Sequence, residues 1–344
     1  MGAMRTTPLL LLPMLSLLLL LGAPEAAQAA GKGGGLSKCD RLALVQDRTE
    51  ALVEKLPERF GLQRWLARLS AKIADRCVRM NEIQVIGSHN SYHVEPSQAL
   101  LDIFLSFDPA ALAWQYSHPP LGFQFEAQGI RQIELDVFAD PDGGLYADRL
   151  ALALIGLDIA SGEPELDQPG FKVLHVQHSD FDTTCLTLVS CLGQVKAWSD
   201  ANPDHLPIMI LIEAKDEDFF VPILPPVIPI DAALFRDLDD EIRSALPDDR
   251  ILLPDDGRGG CDTLEEAVLD QGWPSLAEAR GKVLFALDNG GSKRDLYRDG
   301  AESLEGRVLF TNSFPGQPDA AFVKINNPLG DPTLIPEVVQ AGYV

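Results

Sequence analysis

The chain of 344 residues carries 51 acidic side chains against 28 basic ones, a net charge of −23, with 46% hydrophobic residues. This is a globular composition of about two domain-lengths or one large α/β barrel, and its charge argues against nucleic-acid binding and long-range attraction to anionic membranes. At the N-terminus Arg5 precedes the apolar run "PLLLLPMLSLLLLLG" and then "AAQAA", which reads as an export signal cleaved after Ala29. The run is short and proline-interrupted for a membrane span. Residues 1–29 are therefore expected to be a signal peptide, residues 30–80 a leader and helical segment, and residues 81–344 the main domain of a secreted, extracellular protein. Outside the cell cysteines pair. Cys39 and Cys77 flank the helical segment and Cys185 and Cys191 bracket a short loop, so those are the expected bridges, with Cys261 left over.

From Asp40 to Arg76 apolar residues recur at helical spacing: Leu42, Leu44 and Val45, then Leu52, Val53 and Leu56, then Leu66, Leu69 and Ile73. That pattern predicts an α-hairpin. Seven short apolar runs follow: "IQVIGS", "RQIELDVF", "FKVLHV", "PIMILIEAK", "GKVLFALDN", "GRVLFTNS" and "AFVKINN". Runs of this length suit parallel strands buried on both faces. Helical patterns between them, such as "DAALFRDLDDEIRSAL", make the domain α/β. The first four runs end in polar groups: His89 and Asn90; Glu134 and Asp136; His175; Glu213 and Lys215. Barrel strands converge on one mouth, so four such ends can build one site, which favours a TIM-type (β/α)8 barrel over an open sheet.

Strand parity puts Glu134 and Asp136 on one face of the second run, and Glu213 and Lys215 on one face of the fourth. Three carboxylates in one mouth repel unless a cation holds them. With the Asn90 amide they form an all-oxygen set suited to Ca²⁺ or Mg²⁺. The competing reading is a set of buried salt bridges to Lys215 and Arg131. His89 and His175 suit phosphodiester cleavage, one imidazole taking a proton and the other giving one. Parity turns His178 to the opposite side of an extended strand, His93 and His118 read as loop-packing groups or as groups supporting the site's working residues, and Tyr92 as part of the rim. The apolar, proline-rich segment Phe219 to Ile230 either packs on the barrel wall or dips into lipid.

Taken together, "GSHNSY", "GIRQIELDVFAD", "VLHVQH" and "PIMILIEAKDE" resemble, in order and spacing, the phosphatidylinositol-specific phospholipase C superfamily, and above all its secreted bacterial calcium-dependent branch. "YSHPPLGFQFEAQGIRQIELDV" resembles that branch as well. The likeness runs from about Glu82 to the C-terminus. It implies a PLC-like phosphodiesterase with catalytic His89 and His175, metal ligands Asn90, Glu134, Asp136 and Glu213, and calcium in preference to magnesium. It also implies a phospholipid substrate at a membrane surface, cleaved to diacylglycerol and a cyclic or open inositol phosphate. Lys215 and Arg131 are expected to meet substrate; no stable protein partner is implied, and a monomer is expected. The alternatives are a glycerophosphodiester phosphodiesterase-like enzyme, whose His-Arg-Gly and Glu-Asn-Thr signature is missing here, and a catalytically inactive inositide- or lipid-binding module. Two departures stand out. The superfamily pattern after His175 is closer to "HVPDxD", and the domain is expected to run on past "IPEVVQAGYV" to a "STDY"-like segment. The barrel is thus expected to be incomplete at the C-terminus, with seven runs where eight are needed.

Overall fold

The computed structural model describes residues 38–53, 62–217 and 225–344, which fall into two compact units. The expected signal segment 1–29 and residues 219–224 of the proline-rich stretch lie outside the described residues.

The smaller unit comprises the described residues up to Arg79 with Ser275–Glu278. Its helices α1 (Lys38–Val53) and α2 (Leu62–Ala74) pack on each other as the expected hairpin. Cys39 and Cys77 are bonded, as their positions predicted. Backbone N–H groups of Leu276 and Ala277 donate to the carbonyls of Val78 and Asp75, both at 2.8 Å.

The larger unit runs α3 (Gln98–Phe107), α4 (Leu121–Ala127), β1 (Gln132–Phe138), β2 (Lys172–Val173), α5 (Leu188–Ala201), β3 (Ile208–Lys215), α6 (Ala232–Ala245), β4 (Val283–Leu287), α7 (Gly291–Arg298), β5 (Leu309–Asn312), β6 (Ala320–Phe322) and α8 (Leu334–Ala341). The strands form one six-stranded mixed sheet in the order β2-β1-β3-β4-β5-β6, so β2 and β6 are its edges among the described residues. β1 and β3 to β6 run parallel. Both faces are covered: Ile133, Leu135 and Val137 of β1 and Ile208, Ile210 and Ile212 of β3 are inaccessible on one face, and Glu134, Asp136 and Leu211 are buried on the other. Each of the apolar side chains among them contributes about 1.5–3 kcal/mol by leaving water.

The helices start where their chemistry dictates. At α5 the Thr187 hydroxyl accepts from the Ser190 N–H and the Ser190 hydroxyl from the Thr187 N–H, both at 3.1 Å. At α6 the Asp231 carboxylate accepts from the Leu234 N–H. That helix buries Phe235, Leu238 and Ile242, the three-and-four spacing of one face. Among the described residues no helix is long and apolar enough to cross a membrane.

Two of the seven runs do not form the expected parallel strands. The third forms only Lys172–Val173 and runs antiparallel to the C-terminal end of β1, so β1 pairs directly with β3. A parallel neighbour needs a crossover, usually a helix. The chain between β1 and β2 instead holds two 3₁₀ turns, Leu150–Ile155 and Pro164–Asp167, and returns beside the strand it left. The first run touches β1 at a single parallel bridge, Gly87 to Gln132, where any Cβ on Gly87 would overlap the Gln132 side chain. In the described part of the proline-rich stretch, Val227 packs with Phe138, Tyr146 and Leu174, and Ile230 is buried.

Candidate active site

The β1–β3 register builds the first cluster. Asp136 lies opposite Glu213 and Phe138 opposite Lys215, while Glu134 sits one pleat earlier on the same face as Asp136. Carboxylate oxygens of Glu134, Asp136 and Glu213 consequently lie within 4.8 Å of one another. The Lys215 ammonium reaches Asp136 at 3.1 Å and Glu213 at 3.7 Å. Burial, reinforced by Asp288 and Glu213, pushes the Glu134 carboxyl up to about 7. Burial likewise lifts Asp136 to about 7 against the opposing Lys215 charge, with Glu213 and Glu134 adding to the rise. One ammonium does not compensate three clustered acids.

The segment Ser88–His93 is fastened along β1. Ser91 N–H donates to the Glu134 carbonyl at 3.0 Å, and the Ser91 hydroxyl accepts from the Glu134 N–H at 2.9 Å. This docking turns Asn90 into a left-handed conformation (φ 44°), which asparagine tolerates better than most residues. The buried Asn90 amide donates to the Tyr116 hydroxyl at 3.0 Å, and its Oδ1 has no hydrogen-bond partner. Asp136 Oδ1 is in the same condition. Buried oxygens are rarely left unpaired, so two of them beside a crowded acid cluster fit an oxygen-seeking cation. His89 stands at the opening, its side chain 74% exposed and its Nε2 3.8 Å from Glu134.

A second cluster holds His175. Its Nδ1 lies 2.7 Å from Asp180 Oδ2, and the same oxygen lies 2.8 Å from His93 Nε2. The trio is reached by a reversal: Val176 and Asp180 bridge antiparallel around His178, which takes φ 57°. The two clusters are linked, because Tyr116 accepts from Asn90 and stacks on His93 at 4.3 Å. Burial pushes the Tyr116 hydroxyl up to about 12, with Asp180, Asp136 and Glu134 contributing.

The tertiary structure therefore gathers Glu134, Asp136, Glu213 and Lys215, sets His89 and Asn90 against them, and places His175 in the adjoining trio. Arg131 does not join them. It precedes β1, so it sits at the opposite end of the strand from Phe138; its guanidinium donates to the Phe125 and Ile130 carbonyls and lies 4.7 Å over the Trp198 ring. His178 is not on an extended strand; it bonds the Asp148 carbonyl and stacks on Tyr146. Tyr92 is wholly buried rather than at the rim, and His93 is an integral member of the His175 cluster.

Four residues escaped sequence reasoning. Asp288 ends the β4 run as the other acids end theirs, a signal that was present. It meets the ammonium of Lys324, just beyond β6. Asp180 and Tyr116 needed the fold, since only the reversal after His175 and the loop before α4 bring them in.

A family model described as phosphoinositide phospholipase C, Ca²⁺-dependent, matches residues 78–344. Among solved structures, a calcium-dependent phosphoinositol-specific phospholipase C from a Pseudomonas species is 17% identical with a TM-score of 0.50, over 79% of this chain and 83% of that one. A second crystal form of that Pseudomonas enzyme gives 19% identity and a TM-score of 0.45, over 74% and 70%. A Ca²⁺-dependent phosphatidylinositol-specific phospholipase C from Streptomyces antibioticus gives 22% and 0.41, over 75% and 73%. No curated protein matches. The family match takes in every residue of both clusters, and the chain belongs to the calcium-dependent phosphoinositide phospholipase C family.

Proposed function

We propose that the protein is a secreted phosphodiesterase that cleaves phosphatidylinositol, or a phosphorylated relative, into diacylglycerol and a cyclic inositol phosphate that can then be opened by water. The observation that carries this reading is the group of three carboxylates within 4.8 Å, flanked by the unpartnered oxygens of Asn90 and Asp136. Glu134, Asp136, Glu213 and Asn90 would hold calcium, with magnesium the weaker candidate. When bound, the ion supplies a Lewis acid that acidifies the inositol hydroxyl and offsets charge on the phosphoryl oxygens.

The remaining chemistry falls to the chain's own side chains. His89, exposed at the opening, takes the hydroxyl proton as oxygen attacks phosphorus. His175 gives a proton to the diacylglycerol oxygen as its bond to phosphorus breaks. Lys215 orients Asp136 and Glu213, and contacts phosphate. Arg131 has no part, for its guanidinium is engaged elsewhere. We extend the reading to architecture: the sheet belongs to a TIM-type barrel, residues 81–344 to the phosphodiesterase domain, and residues 1–29 to a signal peptide.

The test is release of water-soluble inositol phosphate from phosphatidylinositol vesicles by the purified protein. Release with calcium and none with chelator is expected. Binding of the vesicles without any release would establish an inactive lipid-binding module instead.

A further inference from the structure

Asp180 offers one carboxylate oxygen to two imidazoles. Its Oδ2 is 2.8 Å from His93 Nε2 and 2.7 Å from His175 Nδ1, and both Asp180 and His93 are inaccessible to solvent. His93 is fixed at its other end, where Nδ1 lies 2.9 Å from the Tyr116 carbonyl, and its ring is stacked on the Tyr116 ring. His175 is gripped on both sides. The His93 ring meets it edge-on at 5.6 Å and the Trp114 ring edge-on at 6.0 Å. Yet 19% of its side chain stays open to solvent.

These three donors could also be read as a transition-metal site. Distances decide against it. Ligands on a tetrahedral zinc with bonds of about 2.0–2.1 Å stand about 3.3 Å apart. The contacts at 2.7 and 2.8 Å are those of hydrogen bonds between a ring N–H and an oxygen.

We propose that Asp180, held in place by His93, is the positioning residue of His175: it fixes the hydrogen on Nδ1 and turns Nε2 outward as the atom that donates to the leaving oxygen. The inference rests on the reading of His175 as the general acid. The chemistry is that of a third group orienting an acid–base imidazole, and a carboxylate accepting from Nδ1–H selects the tautomer. No bond is made or broken at Asp180. It acts on the direction and tautomer of the ring that supplies the proton.

Two substrates separate positioning of the acid from general damage. Diacylglycerol leaves from phosphatidylinositol as a strongly basic alkoxide and needs a proton, whereas 4-nitrophenolate leaves from an inositol 4-nitrophenyl phosphodiester without one. Asp180→Asn and His175→Ala should each lower kcat on phosphatidylinositol by about a hundredfold or more, and on the nitrophenyl ester by under about tenfold. KM on the lipid should stay within about threefold for Asp180→Asn. Should His175→Ala discriminate between the leaving groups while Asp180→Asn lowers both rates equally, or neither, the proposal falls and the role of His175 stands. Should His175→Ala itself fail to discriminate, the general-acid reading falls and the proposal with it. A measurement on the unaltered protein needs no variant to fold: ¹⁵N NMR of the neutral His175 ring should find the hydrogen on Nδ1. A hydrogen on Nε2, or a stoichiometric transition metal bound to the purified protein, overturns the assignment.

Discussion

At the scale of single residues, the histidines differ in what holds them. His89 projects into solvent beside Glu134, and His175 is anchored at Nδ1 with part of its ring open. Replacing either with alanine should lower turnover by about two to four orders of magnitude, as loss of a positioned acid–base group does. His178→Ala should cost far less, because its ring is spent on the Asp148 carbonyl and Tyr146. Initial-rate measurements on vesicles check the contrast, and a His178→Ala loss equal to that of His175→Ala would overturn it. Glu213→Gln removes one charge from the acid cluster while keeping its volume. Calcium affinity, read by calorimetry, should fall at least about tenfold with the melting temperature in chelator unchanged or raised. Unchanged affinity would remove Glu213 from the ligand set.

At the scale of elements, the pairing of β1 with β3 does most for the site, because one register step would carry Asp136 and Glu213 to opposite faces. Parity within each strand was legible in the sequence: alternation along "IELDV" and "ILIEAK" set which side chains share a face. Which strand lies beside which was not, and the third run shows why. Its composition suits a buried strand, but direction depends on the path of the preceding loop, which carries no periodicity. The two disulfides also act at this scale. Cys39–Cys77 closes a separation of 38 residues and Cys185–Cys191 one of 6. On the chain-entropy account the first stabilises by about 4 kcal/mol and the second by about 2. Cys39→Ser with Cys77→Ser should therefore destabilise the helical unit by roughly 2–4 kcal/mol in denaturant titrations while sparing activity. Loss of activity in step with loss of the bridge would tie that unit to catalysis.

For the whole molecule, stability is linked to the unneutralised acid cluster. In chelator Glu134 and Asp136 are lifted to about 7 by burial and by neighbouring charge. Unfolded, both would titrate near 4. Between those values the folded state holds more protons than the unfolded one, so stability falls as pH rises through the window. In chelator the melting temperature should thus decline from about pH 5 to about pH 8, and in millimolar calcium the decline should vanish. A metal-free protein whose melting temperature rises across that range would show that Lys215 and Lys324 already balance the acids.

Local chemistry written into the sequence determined the α/β alternation, the helical hairpin with its bridge, the pairing of Cys185 with Cys191, and the facing of Glu134, Asp136, Glu213 and Lys215. Each follows from spacing, parity or nearness along the chain. Only the tertiary structure decided that Arg131 stays away from the acids, that Tyr92 is buried, and that His93 and Asp180 converge on His175. Those outcomes turn on where loops lead. Asp180 returns to His175 through a left-handed residue at position 178, and Tyr116 reaches Asn90 across a sequence separation of 26. Contacts of that kind are chosen by the packing of the finished fold, because no short-range pattern of residues distinguishes them.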